Sequence, residues 1–100
     1  MARYALIRSD DRLIAARAEA LFASDVSAQS VPTREQVAAA IRRAVRTYGG
    51  TRACAAEMAA EYGEHPESAA SRMRWARAVV ESTYGTRPPA AGAFQQVQAA

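Results

Sequence analysis

The sequence predicts an all-α protein: a small bundle of about four helices that contains a helix-turn-helix. Three observations lead there. Apolar residues recur at three- and four-residue spacing through four separate stretches, the spacing that places them on one face of a helix. Glycine, proline and capping residues fall between those stretches, where helices must end and begin. Half of the 100 residues are hydrophobic, but alanine dominates that half while Leu, Ile and Phe are few. The core is therefore expected to be thin, with helices packed close together to fill it.

The first residues, ARYALIR, are too few to classify. They suit either a helical extension or an extended arm that tucks Tyr4 and Leu6 against the domain. From Ser9 a polar start is followed by Ile14, Ala18 and Leu21 at helical spacing, which predicts a first helix over roughly residues 10 to 24. The stretch Asp25 to Pro32, DVSAQSVP, reads as a linker. Thr33 with Gln36 forms a capping box, each side chain satisfying an orphan backbone N–H. Val37, Ile41, Ala44, Val45 and Tyr48 then make one apolar face, which Gly49-Gly50 ends.

Thr51 is placed to cap a third helix in which Cys54, Ala55, Met58, Ala59 and Tyr62 face inward. Gly63 stands where a left-handed glycine closes such a helix. Pro66 suits the first position of a fourth helix, where its missing N–H would be unpaired anyway. That helix carries Ala69, Met73, Ala76, Val80 and Tyr84 in one stripe and ends at Gly85. These elements give a single helical domain over residues 1–85, with the helix-turn-helix at 51–84. The remainder, 86–100, has paired prolines and no periodicity, so a disordered tail dispensable for folding is expected.

Net charge is +3 and the pI near 9.6, with all 13 basic residues arginine. Such an excess permits contact with nucleic acid without demanding it. The lone cysteine, Cys54, has no Cys or His partner at ligand spacing and reads as a small buried apolar residue. No metal site or cofactor is expected. Nor is an enzyme: His65 is the only histidine, and neither a nucleophile–base set nor a phosphate-cradling glycine loop stands out. With no long apolar run and no signal-peptide pattern, a cytoplasmic protein without membrane contact is expected.

The run Glu57 to Arg77, EMAAEYGEHPESAASRMRWAR, supplies Ala59 where two helices would touch, Gly63 for the turn, and an arginine-bearing second helix. It resembles the DNA-binding helix-turn-helix of region 4 of the bacterial sigma-70 family and of LuxR-type regulators, whose pattern runs roughly EIAxxLGxSPxTVxSRLxRAR. The matching residues are Glu57, Met58, Ala59, Gly63, Pro66, Ser71, Arg72, Met73, Ala76 and Arg77, while Glu64 and Ala69 stand where the family has larger apolar residues. The resemblance implies double-stranded DNA as partner and a role in transcription regulation.

On that reading His65, Glu67, Ala70, Ser71 and Arg74 are the candidates for base contact in the major groove. Arg74 leads them, because a guanidinium can donate two parallel hydrogen bonds to guanine. Arg42, Arg43, Arg46, Arg52, Arg72 and Arg77 are the candidates for phosphate contact. The first helix, with Leu13, Ile14, Leu21 and Phe22, either closes the core or forms a homodimer seam. Trp75 lies about a quarter turn off the apolar stripe, covered by the first helix or by a partner. The alternative is a helical adaptor that binds another protein, one of the transcription machinery, through Trp75 and an apolar groove. Glu64, Glu67 and the modest net charge favour it.

Overall fold

The computed structural model describes residues 9–85, which form four helices: α1 (Ser9–Ala23), α2 (Arg34–Tyr48), α3 (Thr51–Glu64) and α4 (Pro66–Tyr84). There is no strand among the described residues. The arm 1–8 and the expected tail 86–100 lie outside them.

Helix α1 is the centre of the bundle and packs against each of the other three. Its Ala18, Leu21 and Phe22 are buried with Ala40 of α2 and with Ala69, Ala76 and Val80 of α4. A second cluster, Ala20, Ala44 and Cys54, joins α1, α2 and α3. Six of the eleven buried hydrophobic residues are alanine, so the helix backbones, not large side chains, fill the interior. This arrangement uses Leu21 and Phe22 internally and packs Ile14 against the core, leaving Leu13 as the half-exposed member of the group. Of the two uses read for this apolar surface, closing the core accounts for Leu21, Phe22 and Ile14.

The helix boundaries have local causes. The capping box of α2 forms as the sequence requires. The Gln36 N–H donates to Thr33 Oγ1 at 3.1 Å, and the Thr33 N–H donates to Gln36 Oε1 at 2.8 Å. Gly49 ends α2 in the left-handed region, at φ 92°, a conformation that costs a side-chain-bearing residue about 1–2 kcal/mol. The N–H groups of both Gly49 and Gly50 donate to the carbonyl of Val45.

The next helix departs from expectation at both ends. Thr51 is its first helical residue, with Gly50 in the cap position and no side-chain cap bond. At the other end the helix runs through Gly63 to Glu64 and breaks at His65, φ −138° and ψ 69°. Proline is the reason: Pro66 disfavours helical backbone in the residue before it, so the break is set by position 65 and not by the glycine. Gly63 keeps helical backbone, and a Cβ there would meet nothing within 4 Å. Ala59, expected at the contact between helices, is exposed, and Tyr62 is 36% exposed, its ring stacked 6.2 Å from Phe22. Of the expected inward residues of α3, Cys54 is fully buried and Ala55 and Met58 are partly so. The stripe of α4 is as expected, with Ala69, Ala76 and Val80 buried and Met73 and Tyr84 half-buried.

These two glycines should respond oppositely to the same change. Gly49→Ala places a side chain in left-handed backbone and should lower stability by about 1 kcal/mol or more, a fall in Tm of at least ~4 °C for a domain this size. Gly63→Ala should raise stability by ~0.5–1 kcal/mol, because helical backbone with open space around it favours alanine. Thermal unfolding of the two variants checks both signs.

Candidate functional site

The arginines decide what the surface of this bundle can do, and they divide sharply. Arg72 projects from α4 toward the C-terminal end of α1. Its Nε donates to the Phe22 carbonyl at 2.8 Å, and its Nη2 donates to the Ser24 carbonyl at 3.0 Å and the Leu21 carbonyl at 3.4 Å. These carbonyls lie at and just beyond the end of α1, where helix carbonyls run out of partners; that of Leu21 also accepts from the N–H and Oγ of Ser24. The guanidinium also lies against two rings, 4.9 Å from the centroid of Trp75 and 5.7 Å from that of Phe22. Burial pulls the Arg72 pKa below its ordinary value, an effect of desolvating a charge. Arg72 was expected to touch phosphate; its Nε and Nη2 are instead bonded to the end of α1.

The spacing carried this signal. Arg72 follows buried Ala69 by three residues and precedes buried Ala76 by four, so it stands within the apolar stripe and not opposite it. A charge placed there must find polar partners inside, and the end of α1 provides them.

A second tie was not foreseen. At the C-terminal end of α4, Arg34 donates from Nη1 to the Thr83 carbonyl at 2.6 Å. Arg34 and Arg17 approach the Tyr84 ring, 5.4 and 3.9 Å from its centroid. Positive charge on the last carbonyls of a helix is favourable for the same reason as at α1. Arg72 thus ties the middle of α4 to α1, and Arg34 and Arg17 meet its C-terminal end from α2 and α1.

Held this way, α4 presents Glu67, Ser71, Arg74, Arg77, Ala78 and Glu81 outward. Arg74 makes no hydrogen bond or ion pair to another of the described residues. Arg77 lies 3.8 Å from Glu81 one turn on, an exposed pair of the kind worth little to stability. Ala70, expected on the open face, is half-buried, as is Trp75, which packs against the core. Trp75 Nε1 is buried without a partner. His65 is exposed, its Nε2 4.0 Å from Glu64 Oε1, and it makes no side-chain cap to α4. Glu67 sits in the first turn of α4, where a carboxylate complements the helix dipole.

Among the other phosphate candidates, Arg43 pairs with Asp25 at 3.1 Å, both side chains largely exposed. Arg42, Arg46 and Arg52 are exposed and have no carboxylate partner among the described residues. Charge over the body is balanced: residues 9–85 carry ten arginines and ten acidic residues, and the surplus of three belongs to Arg3, Arg8 and Arg87. Cys54 is fully buried. Its thiol pKa is pushed up by desolvation first and then by the nearby carboxylates of Glu19 and Glu57, so it is a structural residue, unsuited to nucleophilic work. No group of three or more metal-ligating side chains occurs among the described residues, and no described helix is long and apolar enough to cross a membrane.

Neither a protein-family model, nor a curated protein, nor a solved structure shows a match to this chain.

Arginines of the two kinds should behave differently when removed. Arg72→Met should cost about 2 kcal/mol or more, because it strands carbonyls that accept charge-assisted bonds, lowering Tm by roughly 10 °C. Arg74→Ala should stay within ~0.5 kcal/mol of wild type. Circular-dichroism melts of both variants measure the contrast, and similar losses would contradict it.

Proposed function

We propose that this protein binds double-stranded DNA through the outward face of α4, as a small transcription-associated module. The observation that supports this most is the state of Arg74. It is exposed and unpaired one turn after Ser71, on a helix whose opposite side is buried and which is held by Arg72 near its middle and by Arg34 and Arg17 at its C-terminal end. A rigidly held helix with an uncommitted arginine near its middle suits major-groove readout, in which the guanidinium donates to guanine O6 and N7. Ser71 adds a donor and acceptor one turn earlier, and His65 stands at the start of the helix. Arg42, Arg46 and Arg52, free of carboxylates, suit the phosphate backbone, with Arg77 following if it releases Glu81. The resemblance of residues 57–77 to the sigma-70 region 4 and LuxR-type motif supports the same reading. Sequence-independent affinity is expected to be low, because the helical body has no net charge to attract phosphate.

That same balance of charge favours a second reading, a helical adaptor that binds another protein of the transcription machinery without touching DNA. On this reading the arginines of α2 and α4 are solvated surface, and the acidic residues around the turn, Glu61, Glu64 and Glu67, face the partner.

Fluorescence anisotropy with a selected genomic duplex separates the two. If Arg74 reads a guanine, Arg74→Ala should lose ~1–3 kcal/mol on the preferred site and relax preference at one base pair. Arg46→Ala should weaken binding to all duplexes alike. An Arg74→Ala protein that binds every duplex as wild type does, or a wild-type protein that binds none at low salt, would put the adaptor reading in its place.

A further inference from the structure

Helix α4 is 19 residues long, about 28 Å, and the outward residues Glu67, Ser71 and Arg74 occupy only its first half. The major groove is about 12 Å wide and winds around the duplex. A straight helix seated there by its first half therefore carries its second half out over a phosphate strand. Tyr84 follows Arg74 by ten residues, about 15 Å along the axis. A bare helix end at that point would meet phosphate with its negative pole. This end is not bare: Arg17 of α1 and Arg34 of α2 approach the Tyr84 ring, 3.9 and 5.4 Å from its centroid.

Arg34 is exposed, and the Thr83 carbonyl takes up its Nη1 alone. Its Nε and Nη2 have no acceptor among the described residues, and neither Arg34 nor Arg17 pairs with a carboxylate among them. Glu81 is the sole acidic residue on the second half of α4, and Arg77 lies 3.8 Å from it. Arg77 precedes Tyr84 by seven residues, two helical turns, so Arg77 and the arginines around Tyr84 border one flank of the helix. The half of α4 that leaves the groove thus carries more positive than negative charge, in contrast to the turn before α4, where Glu61 and Glu64 stand. We propose that Arg34, backed by Arg17, clamps a phosphate of the DNA strand that passes the C-terminal end of α4. A guanidinium with free N–H groups suits a phosphate oxygen, and the Thr83 bond and the Tyr84 ring hold it in place beforehand. The proposal rests on the duplex reading of α4 and adds to it an anchor beyond the base contacts.

The test crosses protein variants with duplex length, using the full chain and fluorescence anisotropy at fixed low salt. One duplex carries the selected site within about 20 base pairs. Two others end about three base pairs, roughly 10 Å, from the base pair at which Arg74→Ala relaxes preference, one cut on each side, so that each lacks the phosphates beyond. For the wild type, one of the two cuts should lower affinity at least ~5-fold, the scale of one charge-assisted contact. Arg34→Gln keeps a donor for the Thr83 carbonyl but no charge. It should bind that cut duplex as wild type does and bind the full duplex no more tightly, whereas Arg34→Lys should retain most of the difference. A thermal melt of each variant shows that it is folded. If Arg34 serves the fold alone, Arg34→Gln weakens full and cut duplexes by the same factor, and that result overturns the clamp. So does a wild-type protein indifferent to both cuts; in either case the duplex reading stands. A wild-type protein that binds none of the duplexes overturns the duplex reading and the clamp with it.

Discussion

The arginine that joins the last helix to the end of the first is the constraint on which this bundle turns. An alanine-rich core offers little side-chain volume to fix the angle between helices, and six of the eleven buried hydrophobic residues here are alanine. Close approach of the backbones gains dispersion energy but leaves the helices free to slide. Arg72 removes that freedom. Its guanidinium reaches three carbonyls at the end of α1 and lies against Phe22 and Trp75, so any rotation of α4 would break directional bonds in a partly dry setting. Arg34 and Arg17 repeat the device at the far end of α4. In both places a helix C-terminus, with its unsatisfied carbonyls, is met by guanidinium.

Fixing α4 in this way determines what remains outside. Once Arg72 is turned inward, Arg74 two residues later must point away from the core, since successive residues advance about 100°. The ten arginines of the body accordingly fall into three groups. Arg17, Arg34 and Arg72 reach across helices, Arg43 and Arg77 pair with carboxylates, and Arg12, Arg42, Arg46, Arg52 and Arg74 have no carboxylate partner among the described residues. The acidic residues are placed just as unevenly. Glu57, Glu61 and Glu64 lie along α3 without arginine partners among the described residues. A body with equal numbers of opposite charges thus leaves charges of both signs unpaired on its surface. Unpaired charge of this kind serves choice of partner and orientation more than overall attraction.

Much of the fold was legible in the residues. The Thr33 and Gln36 capping box, the Gly49-Gly50 stop, Pro66 at the head of α4 and the stripe of Ala69, Ala76 and Val80 each follow from local chemistry that the neighbouring helices reinforce. The turn was misplaced because two local signals competed. Gly63 suits a left-handed closure, but the restriction that Pro66 imposes on His65 prevails, and the helix continues until it meets that restriction. Of the residues expected inside α3, Cys54 is buried and Ala55 and Met58 are half-buried as read, whereas Ala59 and Tyr62 lie on the exposed edge. Arg72 could have been assigned from its spacing to Ala69 and Ala76, whereas the roles of Arg17 and Arg34 depend on contacts across 49 to 67 residues that periodicity does not encode. The large side chains of α1 suited a dimer seam and a core equally well in sequence, and only the packing of α2, α3 and α4 around them separates the two.

The central claim is that the arginines left free by the fold carry duplex binding, and the salt dependence of that binding tests it most directly. Arg42, Arg46 and Arg52 at the phosphates, joined by Arg77 once it releases Glu81, would release about four counterions' worth of charge. A plot of log K against log salt between about 50 and 200 mM should then fall with a slope near −3.5 for a duplex site. A slope close to zero, or no measurable duplex binding at the lowest salt, would contradict the claim and leave those arginines as solvated surface.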